Sequence, residues 1–390
     1  MKNLIILGLL FFAACTKNDK VISETENQTK EKQRCDFGLT QFNLAKRSPV
    51  LDEFANKNPR GGGSGGGGGI QPPATSAGVV FLDFDGQVVS GTGWNYNGTI
   101  TCAPANLASN AVATIFDRVS NDYSPFNITV TTDENVYNAA NIYKRIRVII
   151  TETWEWFGQA GGASFLNSFT DGSNTPSFVF SSLLNYNIKN IGEAVSHEAG
   201  HSLNLQHQST YDAGGVKTSE YNYGIGSGET GWSPIMGCSY YQNLSLWHKG
   251  ANAISASTIQ DDAAIIAAVV GYKTDDYSNT TSNAVSLTNT ISGMRNNSTD
   301  IDFFSVNIST TKTVLLTPFN VGAGNLGANE DLILKIYNAQ GSLLSTIDNP
   351  LTLDASAILA PGIYYVSVSA IANPFTTTYG MLGKYTISLN

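Results

Sequence analysis

The chain has 390 residues, of which only 14% are charged, and a formal net charge of −9. That length suggests two globular units plus termini, and the weakly charged, Gly-, Asn-, Ser- and Thr-rich composition suits a strand- and loop-rich exported protein. No basic stripe is present to release counterions, which argues against nucleic acid as a partner, and no segment after residue 15 is apolar for long enough to span a membrane.

Taken in chain order, residues 1–15 read as a targeting segment. Lys2 supplies a positive start, Leu4 to Phe12 an apolar run, and Ala13-Ala14 the small residues of a cleavage site. With the next residue, Phe12-Ala13-Ala14-Cys15 resembles a bacterial lipobox, which implies lipidation at Cys15 and attachment to an envelope membrane, at the outer membrane or cell surface. In the segment 16–76, residues 16–60 are polar and Gly61 to Gly69 is a flexible linker. This segment is expected to act as a tether, or as a short pro-segment that includes Cys35. With Cys15 lipidated, three cysteines remain, so at most one disulfide forms. Cys102 and Cys238 are the expected pair, since an exported protein meets oxidising conditions.

The region 77–272 alternates strands with helices. Gly78 to Phe84 is an apolar run suited to a buried strand, and Pro104 to Tyr123 has helical spacing. Strands are expected over Asn127 to Thr132, Ile146 to Thr151 and Ser177 to Leu184, with a short edge strand over Gly161 to Phe165. Helices are expected from about Ile188 to Leu203 and over Thr258 to Val270. Asp83 and Asp85 read as a strand-end turn rather than a calcium loop, because the later ligand positions do not follow. His248 reads as a surface or hydrogen-bonded histidine.

Three of the four histidines lie within His197-Glu198-Ala199-Gly200-His201-Ser202-Leu203-Asn204-Leu205-Gln206-His207. On a helix, residues four apart share a face, so His197 and His201 can point at one ion. Glu198 is rotated aside, where it can reach a metal-activated water as general base. His207 can join the pair only if the chain turns back after about residue 203. Asn204 stands at that point, and asparagine tolerates the left-handed conformation that ends helices.

This string resembles the signature of the metzincin zinc metallopeptidases, with Asn204 in place of the family's glycine. Ser233-Pro234-Ile235-Met236-Gly237 is similar to the family's methionine-bearing turn. The resemblance implies Zn²⁺ held by His197, His201 and His207, catalysis by Glu198, and Met236 as a hydrophobic base beneath the histidines. Cys238 occupies the position at which some members carry a metal-proximal tyrosine, and the nearest tyrosines are Tyr240 and Tyr241. An antiparallel edge strand would receive a protein or peptide substrate by strand addition.

From 283 to 390 short alternating runs recur between turn residues, as expected of a β-sandwich. Asp300-Ile301-Asp302-Phe303-Phe304, Leu332 to Gly341 and Leu359 to Val366 resemble the bacterial pre-peptidase C-terminal domain. That resemblance implies an accessory unit: a spacer, a glycan binder or a protein-docking module. The fold class expected is therefore α+β, a metzincin-like catalytic domain with a C-terminal β-sandwich. The activity expected is that of a lipid-anchored zinc endopeptidase. The alternatives are a glycan- or glycoprotein-binding surface protein on the same scaffold, or a cell-wall peptide amidase.

Overall fold

A computed structural model describes residues 78–320 and 327–390. The expectations for residues 1–77, namely the signal segment, the lipidated Cys15, the tether and Cys35, lie outside these. No helix among the described residues is long and apolar enough to cross a membrane.

The first unit is built on a five-stranded sheet. Its strands are β1 (Gly78–Asp83), β2 (Ile128–Thr131), β3 (Arg145–Thr151), β4 (Gly162–Ala163) and β5 (Ser177–Phe180), in the order β2-β1-β3-β5-β4. β1, β2, β3 and β5 are parallel, and β4 alone runs antiparallel to β5. A parallel sheet is covered on both faces, which explains why β1 and β5 are buried at every residue. The helices are α1 (Ser109–Asp122), α2 (Glu134–Ala139), α3 (Ile188–Ser202) and α4 (Asp262–Val270). Ile191, Ala194, Val195 and Ala199 of α3 enter the same core as Ile115 and Val119 of α1 and Val148 and Ile150 of β3. Their spacing is the apolar stripe of a half-buried helix.

One expected helix is shorter than its spacing suggested. Ile259–Asp261 pairs as a strand with Lys249–Ala251, and α4 begins only at Asp262. The Asp261 side chain caps it, accepting a hydrogen bond from the Ala264 N–H at 3.1 Å.

The C-terminal unit is a pair of sheets. Its strands are β6 (Val285–Ser286), β7 (Thr290–Arg295), β8 (Asp302–Ile308), β9 (Lys312–Pro318), β10 (Leu332–Asn338), β11 (Leu343–Ile347), β12 (Ala355–Leu359), β13 (Gly362–Ala370) and β14 (Gly383–Leu389). One sheet has the order β6-β8-β13-β10-β11 and the other β7-β14-β9-β12. Alternate residues such as Phe304, Val306, Val314, Leu316, Val366 and Val368 meet in one apolar core, as in a β-sandwich.

Candidate metal centre

The site is assembled where α3 ends. Its start is capped by Asn187, whose side chain accepts from the Asn190 N–H at 3.0 Å. Its end is a Schellman turn: Asn204 has φ 75°, its N–H bonds His201 O at 2.9 Å, and the Leu205 N–H bonds Gly200 O at 3.2 Å. The chain therefore reverses at the expected residue and brings His207 back beside the helix. Ring centroids of His197, His201 and His207 lie 4.6, 5.2 and 4.8 Å apart. One nitrogen from each falls in a single group whose members are within 4.8 Å of one another.

Every ring is oriented by its other nitrogen. His197 Nδ1 is 2.8 Å from Ile235 O, His201 Nδ1 is 2.7 Å from Leu205 O, and His207 Nδ1 is 2.8 Å from Glu220 Oε1. Such partners fix the tautomer, so each Nδ1 carries the proton and each Nε2 presents a lone pair. Burial pulls the His197 imidazole down to about 4, with weaker opposing effects from Ile235 and Glu193. Burial likewise carries His207 well below its usual range, helped by His197 and Lys217. Both are neutral, as ligands must be.

A metal ion fits this donor set. His207 is 2% exposed, and its Nε2 has no hydrogen-bond partner among the described residues, although a buried polar atom of that kind is costly to leave unpaired. Three imidazoles are a donor set of the kind that holds a metal ion with a position left open. Asp275, Asp300 and Asp302 form a second group, of carboxylates, in and beside the sandwich unit. His248 does not join the three; it packs against Trp232 at 4.9 Å and burial holds it near 4.

The segment around Met236 borders the site. Ile235 O holds His197, while Met236 O accepts from the Gln208 N–H at 2.7 Å, next to His207. Met236 is fully buried, and a Cβ added to Gly200 would stand 2.5 Å from its Sδ. The thioether thus rests on bare helix backbone between His197 and His201. On the opposite side, a Cβ at Gly162 of β4 would stand 2.6 Å from Glu198 Oε1, so a glycine gives the carboxylate its room. Glu198, His197, Gly161, Gly162, Tyr221 and Tyr240 line one cleft.

Glu220 and Tyr221 escape a reading by motif. Glu220 lies thirteen residues past His207 and obeys no spacing rule. Tyr221 packs against His207 in a tilted arrangement, with ring centroids 4.3 Å apart. The expected Cys102–Cys238 disulfide is not formed: Cys102 is a free, buried thiol, whereas Cys238 is disulfide-bonded. Cys102 ends the strand Ile100–Cys102 and packs with Trp94, Phe178 and Phe180, while Cys238 lies at the cleft near Tyr221, so separate cores claim them.

The chain matches no family model and no curated protein. Among solved structures, it is similar to the pre-peptidase C-terminal domain of a Bacillus anthracis collagenase, with TM-score 0.20 and 15% identity over 30% of this chain and 98% of that one. It is also similar to PliG, a periplasmic inhibitor of g-type lysozyme from Aeromonas hydrophila, with TM-score 0.17 and 9% identity over 26% of this chain and 84% of that one. Myroilysin gives TM-score 0.20 and 18% identity over 36% of this chain and 46% of that one. Scores of this size carry no argument about function, which belongs to the side chains.

Proposed function

We propose that this chain is a zinc-dependent endopeptidase of metzincin type. The observation that supports it is the convergence of one nitrogen from each of three histidines, each ring held through its Nδ1, beside a carboxylate that lines the same cleft. His197, His201 and His207 would hold the ion, which when bound supplies Lewis acidity and acidifies water. Glu198 accepts the proton of the attacking water and passes it to the leaving amine. The three histidines keep their orientation through Ile235, Leu205 and Glu220. β4 lies at the sheet edge beside Glu198, where an extended peptide can pair with it.

The test is cleavage of a peptide library by the purified protein. Zinc-dependent cleavage that is abolished by a chelator and by Glu198→Gln, with metal retained in the variant, is expected. Undiminished cleavage by that variant contradicts the role of Glu198. The proposal also keeps Cys15 as a lipid anchor, which metabolic labelling with a fatty acid would reveal; an unlabelled wild type, matching Cys15→Ser, removes it.

A further inference from the structure

The sandwich resembles an accessory unit, but its contacts are those of a structural part of the metal site. Met381, Leu353 and Ala328 share an apolar cluster with Trp232, Leu244 and Leu246 of the first unit. Beside that cluster a buried polar chain runs from the sandwich towards α3. Asn329 Nδ2 donates to Asp122 Oδ1 at 2.8 Å and to Ser245 O at 2.8 Å, and Asn329 Oδ1 accepts from Asn121 Nδ2 at 2.6 Å. Asp122 Oδ2 in turn accepts from Ser196 Oγ at 2.5 Å. Ser196 is the residue before His197, and its carbonyl accepts from Tyr123 Oη at 2.9 Å. Asn329, Asp122 and Ser196 are 2%, 0% and 0% exposed, so water cannot replace a missing partner.

We propose that Asn329 is a positioning residue for the metal helix, acting through Asp122 and Ser196 on the rotation of α3 at His197. The proposal rests on the metal-centre reading above. Without the Asn329 amide, Asp122 Oδ1 loses a donor in a dry environment. Arg118 Nη2, which pairs with Glu193 Oε1 at 2.7 Å and lies 3.8 Å from that oxygen, is the nearby cation. Turning towards it draws the carboxylate off Ser196. An imidazole at the start of the ligand set then loses the support that keeps it on the shared ion.

The experiment uses the full chain loaded with Zn²⁺ or Co²⁺. Dissociation constants come from chelator competition, and ligand geometry from the visible absorption of the cobalt form. Asn329→Ala and Ser196→Ala are each expected to raise the dissociation constant about tenfold, the lower end of effects from outer partners of metal ligands, and to alter the cobalt spectrum. Val366→Ala, in the sandwich core away from this chain of bonds, is expected to lower Tm and leave both readouts unchanged. Ser196→Ala carries the test if Asn329→Ala does not fold. Wild-type affinity and spectrum in the foldable variants overturn the proposal, as does equal loosening in Val366→Ala. A wild type that binds neither ion removes the metal reading itself and this inference with it.

Discussion

Glu220 Oε1 lies 2.8 Å from Nδ1 of His207, and Lys217 Nζ lies 2.7 Å from the other oxygen of the same carboxylate. An acid thirteen residues from the third histidine therefore sets its tautomer. Removing the acid by Glu220→Ala leaves the ring free to turn and less basic. Metal affinity is expected to fall about 10- to 100-fold, as for other outer partners of ligating histidines, with a smaller loss in Glu220→Gln. Chelator competition measures it, and unchanged affinity in Glu220→Ala contradicts the role.

Gly162 tests the placement of Glu198. A methyl group there would stand 2.6 Å from Glu198 Oε1 and 2.8 Å from Phe178 O, and the backbone oxygen cannot yield. Gly162→Ala is expected to displace the carboxylate or β4. Misplacement of a catalytic group by about 1 Å costs on the order of 100-fold in rate. The variant should lose kcat/KM to that extent while keeping its metal, and a wild-type rate would show that Glu198 needs no such space.

Gly200 tests the floor of the site. Alanine has the better helix propensity by about 1 kcal/mol, but overpacking a full core costs about 1–3 kcal/mol. Because Met236 Sδ would stand 2.5 Å from the added carbon, the clash is expected to win. Gly200→Ala should lower Tm and weaken metal binding together. Gly200→Ala combined with Met236→Ala should recover part of the binding. A Tm above wild type in the single variant would mean that Met236 moves aside freely.

The lone thiol of the first unit is predicted to be inert. Burial, with Asp83 adding to it, pushes Cys102 up to about 12, and the residue is 5% exposed. Only the thiolate reacts with alkylating agents. Peptide mapping after iodoacetamide at pH 8 should find Cys102 unmodified in the folded protein and modified after denaturation. Labelling in the native state contradicts the packing described for the Ile100–Cys102 strand.

Much of the site was legible because local rules govern it. The four-residue histidine spacing, the need for a reversal and the tolerance of asparagine for positive φ together anticipate the Schellman turn at Asn204. Period-two alternation likewise announces β8, whose residues alternate between buried and more exposed along the strand. Partners that depend on tertiary contact left no local trace. Glu220 reaches His207 across a loop, and Asn329 reaches Asp122 from 207 residues away. Ile259 fits the helical stripe of α4, yet the acid pair Asp261-Asp262 starts the helix and the preceding residues join a strand. The cysteine pairing failed for a similar reason, since shared region says nothing about shared core.

Metal stoichiometry tests the central claim most directly. Elemental analysis of full-length protein purified without chelator or metal supplements, beside His201→Ala, reads the three-histidine site itself. One zinc per chain in the wild type and none in the variant is the predicted result. A wild type without transition metal after exposure to excess Zn²⁺, or a variant that retains its full complement, would contradict the account.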